Sequence, residues 1–527
     1  MLRLLFWLRQ ALYSFWFQFM TGFRPCTSKV VGNKSYTPST AQDVYRVYKA
    51  ISDKQDPLPF ESIPTARTLP IITLFDLLAA GSAPKLHKYI DKRHQKLGVM
   101  FRERLGGTQD AVFVASASLM RSVFLYEGQY PKHPLPPAWT LYNREHRCER
   151  GLFFMDGAEW LHNRRILNRC LLNGNLDWID EHIEECTDRL INVWRVQATE
   201  SENGYTVIMN LEQQLFRWSV QVICSIMFGS MTTNTPEIQA ALDEFSQIVH
   251  KIFQCSAVLM NFPPKLARAL NLRIWKDFEQ NVSHILGKGA EIIDMYIALH
   301  LSDSSTSAFS LNYSERLFDK LQQAEMPLDM IKRIFTDLVI AAGDTTAYST
   351  EWALYLLSQN PELQRRISNE AVNSVQYKNT VSGLIKETLR LYPVAPFVGR
   401  VLACDAVLGN YKIKKDTLVL LSLYTAGRDP AHFPQPLIVK PDRWKRDQDT
   451  GELRDVLHAH GSMPFAIGNR SCIGRKVALK QLDAFILISR NFELRCVNEK
   501  RIDCILRLVT VPDEALQLAM KLRPESS

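Results

Sequence analysis

One cysteine sits in a setting unlike that of the other nine in this chain. The stretch Phe465-Ala466-Ile467-Gly468-Asn469-Arg470-Ser471-Cys472-Ile473-Gly474-Arg475 surrounds Cys472 with an aromatic ring, two glycines and two cations. Gly468 and Gly474 permit positive φ and close backbone approach, so amide N–H groups can point at the sulfur. The apolar run Val477-Ala478-Leu479 predicts a helix just beyond the loop. Its N-terminal partial charge, with Arg470 and Arg475, favours the thiolate. Such a sulfur suits an axial ligand to haem iron, and thiolate ligation favours O–O cleavage, so the loop predicts oxygen activation rather than oxygen storage or simple electron transfer. Without those neighbours, Cys472 would read as one more buried thiol.

Long elements must carry such a loop and cover it. From Met330 to about Asn360 the chain runs without proline, preceded by Pro327 and Asp329 and stopped by Pro361. Apolar residues recur at helical spacing, predicting one helix about 45 Å long. Its middle, Ala341-Ala342-Gly343-Asp344-Thr345-Thr346, is rich in poor helix formers, which predicts a bend or one opened backbone bond. The plainer reading is that the threonine hydroxyls bond back to carbonyls one turn earlier.

Further along, Glu387 and Arg390 stand three apart before Leu391-Tyr392-Pro393, and Pro441-Asp442-Arg443-Trp444 follows some fifty residues later. Trp160 and Arg164 stand one helical turn apart, and Arg400 lies ten residues beyond Arg390. Together with the cysteine loop, these motifs resemble the cytochrome P-450 family across about residues 65 to 520. The resemblance implies a mainly α fold with a small β-rich lobe, the cytochrome P-450 fold. It implies haem b with Cys472 as axial thiolate and Phe465 beside it. Trp160, Arg164, Arg400 and Arg470 would serve the haem propionates, which a mostly apolar pocket holds only with cations and donors nearby. Asp344 and Thr345 would deliver protons at the oxygen site. Glu387, Arg390 and Arg443 would form a buried structural triad. Two alanines, Ala466 and Ala342, stand where that family often has glycine.

Composition is that of an ordinary globular protein: 527 residues, 46% hydrophobic and 22% charged, with a formal net charge of +8 and no long basic run, which disfavours nucleic-acid binding. Ten scattered cysteines without a Cys-x-x-Cys pair point to a reducing compartment and away from zinc. No acidic residue precedes Asp43, while arginines, lysines and aromatics are interleaved. Residues 1 to 45 therefore read as a mitochondrial presequence and linker, with 46 to 527 as a single catalytic domain. Arg9 and Gln10 interrupt the apolar run that a membrane anchor requires.

The chain has neither a flavin-binding fingerprint nor iron-sulfur cysteine spacing, so its electrons must come from another protein. The resemblance to mitochondrial family members implies a 2Fe-2S ferredoxin with its NADPH-dependent reductase. Lys386, Arg475, Lys476 and Lys480 are the expected docking cations, with Ser382 in place of a second lysine and Lys378 as a substitute. Residues 249 to 278 mix apolar and basic side chains, suiting either a peripheral contact with the matrix side of the inner mitochondrial membrane or two helices over the substrate pocket. The stretch from Ser302 to Ser310 reads as an exposed loop. Trp139, Val339, Ile340, Val394, Phe397 and Val509 are the expected apolar lining for a lipophilic steroid. In detail, through His87 to Glu103, Glu127 to Pro131 with Trp139 and Tyr142, Asp344 to Ala347 and Thr425 to Pro430, the chain is similar to the insect branch of the family that hydroxylates 2-deoxyecdysteroids at C-2 in moulting-hormone synthesis. Another sterol or a xenobiotic as substrate, a haem-thiolate isomerase or lyase, and a haem sensor remain the alternatives.

Overall fold

The computed structural model describes residues 56–66, 83–104, 110–199, 204–229, 236–260, 262–303, 315–370, 372, 374–447 and 449–524. The expected presequence, 1 to 45, lies outside them. The principal helices are α1 (Leu86–Leu97), α2 (Gly157–Leu171), α3 (Trp178–Thr199), α4 (Leu211–Phe228), α5 (Pro236–Met260), α6 (Arg273–Asp303), α7 (Leu328–Ser358), α8 (Val375–Leu391) and α9 (Arg475–Ile486). The 249–278 stretch forms the end of α5, a short helix Pro264–Ala269 and the start of α6. The serine-rich stretch departs from expectation, because α6 continues through Ser302 to Asp303; residues 304–310 lie outside the description.

The long helix α7 forms because Pro327 caps it without needing an N–H donor, Asp329 favours its positive end, and Pro361 forbids continuation. It is helical throughout, including the run expected to bend. Thr345 Oγ1 donates to Ala341 O at 2.7 Å and Thr350 Oγ1 to Thr346 O at 2.9 Å, so hydroxyls bond back along the helix. Gly343 has a different use. A Cβ there would meet the Phe216 ring of α4 at 2.8 Å, so the missing side chain lets α4 pack closely against α7. Ser219 on α4 donates to Ala342 O at 3.0 Å across that contact. Most of α7 is buried, but Ala341, Ala342 and Thr345 form a strip that keeps some accessibility.

The β-rich lobe is a four-stranded sheet of β1 (Met100–Glu103), β2 (Ala111–Val114), β3 (Phe397–Val401) and β4 (Leu418–Ser422), in the order β1-β2-β4-β3. The β2–β4 pair is parallel and the other two are antiparallel. Every residue of β2 and β4 is buried, as continuous apolar runs covered on both faces require. Leu86, Tyr89 and Ile90 of α1 cover one face against Phe101 and Phe113, and Met120, Val123 and Phe124 cover the other. This lobe carries Arg400, in β3, towards the cysteine loop.

The expected triad is present and fully buried. Arg390 donates from Nε and Nη2 to the two Glu387 oxygens, both at 2.8 Å, and Arg443 Nε lies 3.1 Å from Glu387 Oε1. Trp444 Nε1 and the Lys440 N–H complete the shell around the carboxylate at 2.9 Å each. The guanidiniums use their remaining donors on backbone carbonyls: Arg390 on Gly427 and Pro436, Arg443 on Pro434, Gln435, Ile438 and Asp455. The segment leading into the cysteine loop is thus tied to α8 by charge-assisted bonds.

Candidate active site

The cysteine loop is shaped by its own backbone. The Cys472 N–H donates to Phe465 O at 2.9 Å and the Ser471 N–H to Gly468 O at 3.1 Å. Gly468 has φ +81°, and a Cβ there would lie 2.3 Å from Glu127 Oε1, so both conformation and space require glycine. Gly474 differs from expectation: its φ is −85°, and it serves as the residue before α9 whose N–H bonds to the Cys472 sulfur. Ala466 adopts φ +52°, a conformation that costs an L side chain about 1 kcal/mol. Ala466→Gly is therefore expected to raise the unfolding free energy by about 1 kcal/mol or less, measured by denaturant titration.

Cys472 is accessible at its surface yet surrounded by enough protein that burial raises its thiol pKa. The Gly474 N–H, Arg164 and Arg475 oppose that rise. Arg470, expected to stabilise the thiolate, instead lies over the Trp160 ring at 4.4 Å and donates to Pro131 O, Met155 O and Asp156 Oδ1. Arg164, one turn beyond Trp160 on α2, takes that electrostatic role.

Around the loop collects a set of cations with unused donors. Arg164 Nη2 reaches Ser471 Oγ at 3.4 Å, while its Nε is buried without a partner. Arg400 donates from Nε to Glu127 Oε2 at 2.9 Å, and its Nη2 is likewise unpartnered. His133 has both ring nitrogens buried and unpartnered, and its pKa is pushed down to about 3 by burial, then by Arg470 and Arg400. Arg470 is pushed down to about 10, chiefly by burial. Two guanidiniums and an imidazole with orphaned nitrogens, with the Arg470 guanidinium close by, call for an anion, and two propionate carboxylates beside a thiolate match that donor set. These residues therefore fit a haem.

Glu127 lies in a stretch that carries the family resemblance but has no expected part in the site, and His133 has no sequence signal. Glu127 receives the Arg400 guanidinium and, from 342 residues away, the Asn469 N–H at 2.6 Å, and so clamps the cysteine loop to β3. Their shared stretch, Glu127 to Pro134, carries no spacing rule that would single them out.

Asp344 and Thr345 are neighbours in sequence but face different surroundings. The Thr345 hydroxyl belongs to the accessible strip. Asp344 is 2% exposed with Oδ1 unpartnered, and shares a small cavity with Gln254, Tyr348 and Arg507. No hydrogen bond joins the two. Burial, then Glu212, raises the Asp344 pKa well above the usual carboxylate range, with Arg507 opposing. One turn beyond Tyr348, buried Glu351 is pushed up to about 8 by burial and Glu212, against a Leu516 N–H bond. Between its ordinary value near 4.5 and about 8, folded Glu351 keeps a proton that the unfolded chain has released, so stability falls as pH rises through that window. Glu351→Gln is expected to flatten the thermal midpoint against pH there, removing a slope of up to about 1.4 kcal/mol per pH unit.

Of the expected pocket lining, Val394 and Val509 pack with Tyr348 and Val511, and Val509 borders the Asp344 cavity. Trp139 does not open to a pocket: it is wedged against Phe154 and Phe278, and its Nε1 donates to Ser256 Oγ at 3.0 Å. Val339 is likewise fully buried in the main core.

Fold, cysteine loop and cation set define a haem-thiolate oxygenase. The sequence profile of the cytochrome P450 family matches residues 64–520, and the chain belongs to that family, whose members hold haem on a cysteine thiolate. It is a haem-thiolate monooxygenase. Cytochrome P450 315a1, mitochondrial, of Drosophila melanogaster is 56% identical over 475 residues, 88% of this chain and 89% of that protein. The mitochondrial cholesterol side-chain cleavage enzyme of Ovis aries is 26% identical, covering 88% of this chain and 90% of its own. A cytochrome P450 crystal structure superposes with a TM-score of 0.67 at 20% identity, covering 89% of this chain and 100% of that one.

Proposed function

We propose that this protein is a mitochondrial steroid hydroxylase that acts at C-2 of a 2-deoxyecdysteroid, with electrons from a 2Fe-2S ferredoxin and its NADPH-dependent reductase. The observation that carries the reading is the 56% identity to a mitochondrial cytochrome P450 over nearly the whole chain, joined to the earlier resemblance to ecdysteroid 2-hydroxylases. Haem, bound through a thiolate, supplies the oxygen activation needed to hydroxylate an unactivated carbon. Cys472 supplies that thiolate, and Phe465, whose carbonyl accepts the Cys472 N–H, flanks the haem from the same loop. Arg164, Arg400, Arg470 and His133 bind the propionates, with Trp160 holding Arg470 in place. Asp344 stores a proton and Thr345 presents a hydroxyl from the accessible strip. Val394, Phe397 and Val509 exclude water around the substrate. Gln254 and Arg507 add polarity that the sequence did not suggest.

Lys386, Lys378 and Arg475 are exposed and Lys476 is half-buried, a set suited to an acidic ferredoxin. Lys480 leaves that set, because Asp180 neutralises it at 2.5 Å. Reduction by ferredoxin is expected to slow with rising salt, and about tenfold for Lys386→Glu at low salt, in stopped-flow traces; salt-independent reduction contradicts the docking site. Exposed Val258 and Leu270, with Lys251, Lys265 and Lys276, form the surface for contact with the inner membrane on its matrix side.

The function is tested by incubating the holoenzyme with ferredoxin, its reductase, NADPH and a panel of sterols and 2-deoxyecdysteroids. A product hydroxylated at C-2, assigned by NMR, is expected. Oxygen consumption with another sterol alone would move the substrate assignment, and none with any substrate would favour an isomerase or sensor.

A further inference from the structure

The acid at the oxygen site sits behind a second polar path that the cysteine chemistry does not use. Asp344 and Tyr348 are four residues apart on one face of α7 and border the same small cavity, closed by Phe253, Val509 and Val511. Both are buried, and Asp344 Oδ1 has no partner. The Tyr348 hydroxyl donates to Glu212 Oε1. Glu212 lies in the first turn of α4 and is partly exposed, so it meets solvent where the other two do not. The charged and titratable groups facing this series are Arg507, from the turn opposite, and Glu351, one turn further along α7. Thr345 takes no part: its hydroxyl is engaged with Ala341 O.

We propose that Glu212 and Tyr348 form the proton entry to Asp344. When Asp344 has given up its proton, the Tyr348 O–H breaks towards the Asp344 carboxylate across the shared cavity. The phenol oxygen takes a proton from the Glu212 carboxyl, and Glu212 is refilled from solvent. One proton moves inward and no electron changes hands. Because a carboxylate and a phenol hand protons on through hydrogen bonds, removing either link should slow refilling without altering the haem ligand. The route rests on the reading of Asp344 as the acid of the oxygen site, but its first readout does not.

The test is infrared spectroscopy of the full-length ferric holoenzyme after transfer to D2O. The protonated Asp344 carboxyl band, identified by its loss in Asp344→Asn, is expected to shift quickly in the natural protein and about tenfold or more slowly in Tyr348→Phe and Glu212→Gln. Glu351→Gln removes a carboxyl on the same helix with no hydrogen bond to Tyr348, and should exchange as the natural protein does. Undiminished exchange in both Tyr348→Phe and Glu212→Gln, or equal slowing in Glu351→Gln, overturns the route. Unaltered coupling in Asp344→Asn would instead remove the role given to Asp344 and leave the exchange result standing, so the two failures are distinct.

Discussion

Arg390→Ala is expected to yield no folded holoprotein. Arg390 is one of the largest fully buried side chains in the molecule, and its guanidinium satisfies both Glu387 oxygens and two backbone carbonyls. Truncation leaves the Glu387 charge, with only Arg443 and two neutral donors, in a site that excludes water. Breaking a buried pair on one side costs about 3 to 5 kcal/mol. A domain with a total stability of about 5 to 15 kcal/mol loses a large share of it at once. The damage is directed at function, because the carbonyls of Gly427 and Pro436 that Arg390 holds lie in the chain leading to the cysteine loop. Co-expression with excess haem, read by the haem-to-protein absorbance ratio and by limited proteolysis, should show apoprotein that is cut rapidly. Arg390→Lys restores the charge but not the paired donors, and should rescue only in part. Normal haem content in Arg390→Ala would contradict the structural role.

Asp344→Asn and Thr345→Ala should separate electron consumption from product formation. An amide cannot give up a proton as a carboxyl does, and general acid catalysis commonly contributes about a hundredfold or more. Product formed per NADPH is expected to fall about a hundredfold in Asp344→Asn, with hydrogen peroxide accounting for much of the missing yield. Thr345→Ala should lose less, because its hydroxyl bonds to Ala341 O at 2.7 Å and must turn before it can relay a proton. Haem content and substrate affinity should stay near those of the natural protein in both. Coupling equal to the natural protein's in Asp344→Asn would move the proton source elsewhere.

What the sequence made legible was local. Prolines at 327 and 361 bracket α7 to within three residues at each end, because proline both opens and forbids a helix. The triad was legible because its members lie in two short motifs with distinct composition. What escaped was set by the third dimension. Glu127 meets Asn469 across 342 residues, and Glu212 meets Tyr348 across 136, with nothing in either local pattern to announce a partner. Three expectations failed for the same reason. Arg470 is drawn from the sulfur to Asp156 and the Trp160 ring, Lys480 is neutralised by Asp180, and Trp139 is captured by the aromatic core. Gly343 shows the converse: a residue read as a helix breaker is an allowance for Phe216. Ala466, standing where the family often has glycine, occupies the left-handed conformation that glycine adopts without cost.

Oxygen activation at this site requires sulfur from Cys472 to be the metal's ligand. Reduced protein mixed with carbon monoxide should show a Soret band at about 450 nm, as an anionic sulfur donor demands, and Cys472→Ala should abolish it. A band at the shorter wavelength typical of imidazole ligation, or an unchanged spectrum in Cys472→Ala, would contradict it.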